Sequence, residues 1–194
     1  MAYRDTTLWV GAWDTDTIYA VDPSTWKVVD EVGAPGRPYG IAVTGNEMRV
    51  VVSLGADDDR YLYRFVPGKG FDEARKTPCP DFTGSHLAWY DGTLYLAQLG
   101  LRRIVALDER GAIAREIALP THCGGIGAGA GAFYIISADE EFDNLTLATL
   151  DVGVAAPQAV TLASLNPEAR ALAYDGKAWW TSYREQNEIV SFEV

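Results

Sequence analysis

The sequence predicts an all-β chain folded as a single five-bladed β-propeller, with four-stranded antiparallel blades and a last blade in which only three strands are legible. Three observations predict it. A triplet of one apolar residue, one small residue and a third residue recurs five times, as Met1-Ala2-Tyr3, Ile41-Ala42-Val43, Leu87-Ala88-Trp89, Ile126-Gly127-Ala128 and Leu172-Ala173-Tyr174. The small residues are spaced 40, 46, 39 and 46 positions apart, the period of a four-stranded propeller blade. Between triplets the chain reads as short segments rich in β-branched and aromatic residues, separated by Gly, Pro and Asp turns. No long stretch carries a helical stripe.

Each unit follows the same order. The first (about 1–35) opens on its triplet and continues with strand-like segments at 7–13, 18–22 and 27–32. The second (about 36–82) has them at 48–54, 62–66 and 73–78, and the third (about 83–121) at 93–99, 104–108 and 113–119. The fourth (about 122–166) has them at 132–138, 147–151 and 158–163, whereas the fifth (about 167–194) shows only 178–184 and 189–193. Repetition at this period selects a propeller over a sandwich. The Ala/Gly column has a steric reading, because the innermost strand of each blade lines the axis and a five-blade ring is tight there. Trp9, Trp179 and Trp180 fall within strands and are expected to pack between blades. The open edge of the fifth unit implies a three-stranded blade, a longer parent chain, or cover by a second copy in a homodimer.

Composition bounds the function. The chain has 194 residues, 48% hydrophobic and 22% charged, with a net charge of −11 and six Trp. The apolar content excludes disorder, and the acidity argues against nucleic acid or an anionic membrane as partner. No apolar run approaches the ~20 residues of a membrane span. The opening MAYRDTTLWV lacks a signal-peptide pattern, and Cys79 and Cys123 are too few for a disulfide scaffold, so the expected location is cytoplasmic.

The segment YDGTLYLAQLGLRRIVALDERGAIAREIALPT (90–121) resembles the DG-x-L-W-F-T … N-x-I-x-R-I-D … G-x-[IV] unit of the virginiamycin B lyase-like propellers. DPSTWKVVDEVGAPGRPYGIAV (22–43) is similar to the YVTN form, D-x-x-T-x-K-V-V … G-x-x-P-x-G-I-A-V, of the same YVTN/NHL-repeat superfamily. The resemblance covers nearly the whole chain and implies the propeller fold. For the lyase family it also implies elimination chemistry by a histidine near the channel, with a divalent ion holding the substrate.

Blade order places two sets of loops at one mouth of the channel, and chemistry is expected there. Both histidines of the chain, His86 and His122, fall in this set and are the candidate acid–base residues. Trp13, Tyr39 and Tyr183 offer surfaces for stacking, and Arg37, Arg170 and Arg184 offer forked donors for a carboxylate or phosphate. Ser85, Gln98, Cys123 and Glu168 complete the candidate ligand-binding set. Asp14, Asp57 and Asp139 follow second strands and are the candidate ligands of a Ca²⁺ or Mg²⁺ ion in the channel. The turn acids Asp22, Asp108 and Asp151 lie at the other mouth and read as turn formers. The expected function is small-molecule binding at the channel mouth, with a lyase or hydrolase acting on an anionic or carboxylate-bearing ligand as its sharpest form. The alternative is a non-catalytic scaffold for a protein partner.

Overall fold

The computed structural model describes all residues, 1–194, as five antiparallel sheets arranged in a ring. Blade 1 comprises β1 (Ala2–Arg4), β2 (Thr7–Ala12), β3 (Thr17–Asp22) and β4 (Lys27–Gly33). Blade 2 comprises β5 (Arg37–Thr44), β6 (Glu47–Leu54) and β7 (Asp59–Val66), with β8 (Gly70–Phe71) and β9 (Thr77–Pro78) both paired on β7. Blade 3 comprises β10 (His86–Tyr90), β11 (Thr93–Gln98), β12 (Arg103–Leu107) and β13 (Ile113–Ala118). Blade 4 comprises β14 (His122–Gly129), β15 (Ala132–Ala138), β16 (Leu145–Leu150) and β17 (Ala159–Leu165). Blade 5 has three strands, β18 (Ala169–Tyr174), β19 (Trp179–Tyr183) and β20 (Glu188–Phe192). No helix is long and apolar enough to cross a membrane.

The innermost strands β5, β10, β14, β18 and β1 touch one another in cyclic order. Their small residues Ala2, Ala42, Ala88, Gly127 and Ala173 together line a narrow axial void of about 110 Å³. Gly127 is the exception to alanine for a local reason. A Cβ there would lie 2.9 Å from both Leu172 Cβ and Trp179 Cζ3, closer than packed atoms tolerate.

Strand periodicity distributes the core among the joints between blades. In β6, Val50 and Val52 pack toward blade 1 while Val51 packs toward blade 3. In β15, Ile135 faces blade 3 and Ile136 faces blade 5, and in β19 Trp179 faces blade 4 while Trp180 faces blade 1. Each joint therefore has its own apolar layer. The blade 3–blade 4 layer holds 13 buried residues, but the blade 5–blade 1 layer holds five. That joint is the thinnest, and blade 5 is the blade without an outer strand.

One outer segment departs from the expected pattern. The sequence reads 73–78 as a single fourth strand, but Gly68 and Gly70 adopt positive φ and return the chain tightly enough for Phe71 to pair with Phe65 at once. The Phe71 and Phe65 rings then lie 5.0 Å apart. Glu73–Arg75 forms a 3₁₀ turn, and only Thr77–Pro78 rejoins β7, where Pro78 contributes no N–H to the ladder. At the far mouth, Asp22 accepts from the Ser24 N–H at 2.8 Å, the Ser24 hydroxyl at 2.7 Å and the Thr25 hydroxyl at 2.8 Å. These bonds hold its carboxyl down at about 2, the Ser24 hydroxyl foremost. Asp108 and Asp151 accept from turn N–H groups in the same way.

Candidate functional site

At the opposite mouth the loops and strand ends enclose a cavity of about 700 Å³. Its position follows from the inner strands, three of which bulge at this end: β5 between Pro38 and Ile41, β14 between Cys123 and Gly125, and β18 between Arg170 and Ala173. A bulge bends its strand and re-aims the side chains beside it. In β18 the bulge carries Ala171 at φ 63°, and its carbonyls are captured from β19. The Thr181 hydroxyl donates to Arg170 O and Ala171 O, both at 3.0 Å, and the Ser182 hydroxyl donates to Arg170 O at 2.9 Å. The backbone of Arg170 is thereby fixed, and its side chain lines the cavity.

The cavity gathers three arginines and two carboxylates, Asp14 and Glu188. Arg170, Arg184 and Arg60 line it, together with His86 and Met1. Arg60 is neutralised locally. It pairs with the Asp58 carboxylate, donates to Gly84 O at 2.7 Å, and lies 3.6 Å from the Tyr39 ring centroid. Arg170 and Arg184 have no carboxylate within ion-pair distance. Arg170 donates to Pro167 O at 2.9 Å and Ala169 O at 2.8 Å, and its guanidinium lies 5.4 Å from the Phe142 ring centroid. Arg184 is exposed at the rim and lies 3.9 Å from the Trp13 ring centroid, so it bridges blades 5 and 1. Burial first, and repulsion from Arg184 second, hold Arg170 below its ordinary value. Glu168 and Glu185 oppose that shift from beyond pairing distance, and Glu168 accepts the Glu185 N–H at 3.0 Å.

His86 opens β10 on the cavity wall, where burial pushes its pKa down to about 3, with the Met1 amino group, Arg170 and Arg60 adding repulsion. A neutral imidazole therefore faces the cavity at physiological pH. Trp13, Asp14, Tyr39, Ser85 and Tyr183 share the same wall. The Tyr39 hydroxyl points to Asp58 at 3.4 Å, and burial raises its pKa. The Ser85 hydroxyl donates to Ala97 O at 3.1 Å.

The other candidates lie elsewhere. His122 does not join His86 on the cavity wall. Its ring stacks on Phe142 at 4.9 Å, with Nδ1 3.3 Å from Leu99 O and Nε2 3.4 Å from Glu140 Oε2. Gln98 is fully buried and ties loops together, donating to Pro80 O at 2.6 Å and Thr83 O at 2.9 Å while accepting from Arg103 at 2.6 Å. Cys123 is fully buried in the blade 3–blade 4 layer, and burial pushes its thiol up to about 12, as it does that of Cys79. A thiol so held is no nucleophile. Arg37 is exposed outside the cavity lining, and Glu168 is committed to the Glu185 backbone.

The three carboxylates expected to hold a divalent ion do not converge. Asp14 stands on the rim and Asp57 lies in an exposed turn. The Asp139 carboxylate is spent inside its own loop on the Asp143 N–H at 3.0 Å and the Asn144 side-chain amide at 2.6 Å. No group of three or more His, Cys, Asp or Glu side chains is placed to hold a metal. Hard cations want several oxygens at once, so these residues do not fit a Ca²⁺ or Mg²⁺ site.

Sequence reading missed Arg60, Asn187, Glu188 and Ile189, all of which line the cavity. Arg60 sits inside a strand, yet it directly follows the acidic run Asp57-Asp58-Asp59, and that adjacency was the available signal. The last three sit at the thin blade 5–blade 1 joint, where the cavity extends outward, and nothing local in the sequence marks them.

No protein-family model matches the sequence, and no curated protein matches it. Solved structures do. Virginiamycin B lyase from Staphylococcus aureus, in a catalytically inactive form with quinupristin, superposes with a TM-score of 0.59 at 15% identity, over 96% of this chain and 66% of the lyase chain. The chain thus spans just under two thirds of that protein. Glutaminyl cyclase from Myxococcus xanthus gives 0.69 at 12% identity, over 94% of this chain and 84% of the cyclase. A chain of the nidogen/laminin complex gives 0.65 at 14% identity, over 96% of this chain and 88% of that one. Enzymes and a binding module share this architecture, so the likeness speaks for fold and not for activity. The chain is a five-bladed β-propeller, similar in fold to virginiamycin B lyase and to other propellers of diverse function.

Proposed function

We propose that the protein binds a small anionic organic molecule in the cavity at the channel mouth. The observation that carries this reading is the Arg170–Arg184 pair: two guanidiniums that repel each other, face one concavity, and lack a carboxylate partner in a chain of net charge −11. With 27 acidic residues in the chain, the half-buried Arg170 still has only the Pro167 and Ala169 carbonyls as partners, and an anion would complete it. The aromatic walls of Trp13, Tyr39 and Tyr183 suit the apolar body of such a molecule. The two histidines lie in different surroundings, so paired acid–base catalysis has no geometric support, and the reading is one of binding.

The test is calorimetric titration with phenylacetate and with phenylacetamide, its uncharged analogue. The acid is expected to bind and the amide to bind at least about tenfold more weakly. Arg170→Ala removes a partly buried charged donor and is expected to weaken phenylacetate about 10- to 100-fold. Arg184→Ala removes an exposed one and is expected to cost no more than about fivefold. No saturable binding of either acid or amide, or equal affinity for both, refutes the reading.

A further inference from the structure

Blade 5 has β20 at its outer edge with no fourth strand beside it, and the other blades show what belongs there. In blades 1, 3 and 4 the fourth strand runs antiparallel to the third and sets one apolar side chain opposite another: Val32 opposite Ile18, Ile117 opposite Ile104, and Leu165 opposite Leu145. Each pair seals a joint between blades, and Ile18, Ile104 and Leu145 are exposed by 1% or less. Ile189 is the equivalent residue of β20. It pairs with Ser182 of β19 as Ile18 pairs with Gly11 and Ile104 with Ala97, and it packs at the blade 5–blade 1 joint. No fourth-strand residue stands opposite it, so it stays only partly buried and the cavity reaches out to it. The thinnest joint of the ring is the one that lacks this side chain.

The edge is also receptive along its backbone. An edge strand presents unpaired N–H and C=O groups, and natural edges are blunted by Lys, Pro or a bulge. Glu188–Phe192 contains none of these and pairs with β19 in unbroken register. Charge selects the partner. In blade 3, Arg103 opens the third strand and its guanidinium pairs at 2.6 Å with Glu116 of the fourth, the residue just before Ile117. In blade 5 the exposed Glu188 takes the place of Arg103, so the sign is reversed and the complementary residue is a cation. A second copy offers the opposite of what is needed. Laying β20 against β20 sets Glu188 and Glu193 of one chain near the same acids of another, in chains of net charge −11.

We infer that β20 is a docking edge for an extended segment of another protein, in which a Lys or Arg followed directly by a large aliphatic residue meets Glu188 and Ile189. The segment adds the fourth strand of blade 5 through its main chain, its aliphatic side chain covers Ile189, and its cation pairs with Glu188. Arg170 and Arg184 take no part.

The test uses a fluorescein-labelled peptide with the sequence of residues 112–119, AIAREIAL, and its Glu116→Lys form, each titrated with the whole protein and read by fluorescence anisotropy. Wild type is expected to bind the Glu116→Lys peptide saturably and about three- to tenfold more tightly than the unchanged peptide. Glu188→Lys, a change at an exposed position, is expected to reverse that order. Adding Ile117→Ser to the Lys-bearing peptide is expected to weaken it at least about threefold. N-methylation of alternate residues checks the main-chain pairing, because in an antiparallel pair only every second residue turns its N–H to the neighbouring strand. One alternating set is expected to abolish binding and the other to preserve it. No saturable binding, an unchanged order in Glu188→Lys, or equal loss from both N-methylated sets overturns the inference. Sedimentation of the free protein as a dimer that the peptide splits assigns the edge to a second copy and overturns the choice of partner.

Discussion

His86 makes the folded protein sensitive to acid in a way that one substitution isolates. Its folded-state pKa of about 3 lies below the ordinary value of 6.5, because burial and neighbouring positive charge disfavour the imidazolium. The unfolded chain therefore takes up a proton on this residue as pH falls through 6.5, while the folded chain does not. Folding stability is lost progressively between about pH 6.5 and pH 3 and is flat, for this residue, outside that window. Between pH 7 and pH 5 the difference integrates to about 2 kcal/mol. His86→Gln removes the titration while keeping a polar side chain of similar reach. Urea unfolding followed by tryptophan fluorescence at pH 7 and pH 5 reads the effect. Carboxylates and the Met1 amino group contribute to both proteins and cancel in the comparison. Wild type is expected to lose about 2 kcal/mol more than His86→Gln over this interval. Equal losses in the two proteins would show that His86 protonates freely in the fold, and the description of its surroundings would be wrong.

Two further outcomes follow from packing. Gly127→Ala places a methyl 2.9 Å from Leu172 Cβ and Trp179 Cζ3. It should cost about 1–3 kcal/mol, seen as a lowered Tm in a thermal melt, and an unchanged Tm would mean that the blade 4–blade 5 joint is looser than described. Cys79 and Cys123, with thiols pushed up to about 12 by burial, should resist iodoacetamide at pH 8 in the folded protein and react fully in denaturant. Rapid modification of either thiol in native conditions would place it at the surface.

The fold was legible because its constraint is local and repeated. Each inner strand needs a small residue where it packs against the next blade around the axis, and the triplets at Ala2, Ala42, Ala88, Gly127 and Ala173 mark that need at blade spacing. The outer strands are largely exposed, as in β4 and β17, so their sequences are less constrained, and the split of β8 and β9 was not readable. The site was legible only in part. Loop position brought Trp13, Tyr39, Ser85, His86, Arg170, Tyr183 and Arg184 to one cavity, since blade topology alone decides which loops share a mouth. Side-chain direction is a finer matter. Cys123 and His122 are neighbours on one strand, yet the first turns into the core and the second stacks on Phe142. Gln98 points inward to carbonyls that the folded segment between β9 and β10, joining blades 2 and 3, supplies. Arg60 was passed over because its strand address said nothing of the Tyr39 ring and Gly84 carbonyl, which come from elsewhere in the chain.

The alanine ring has a consequence for traffic. Beneath the cavity the axis narrows to a void of about 110 Å³ walled almost wholly by apolar side chains. A void of that size holds only a few water molecules, so an organic solute does not pass the collar. The molecule is accordingly a cup and not a pipe: a ligand of the proposed anion site would depart through the doorway it entered, past the Arg184–Trp13 contact.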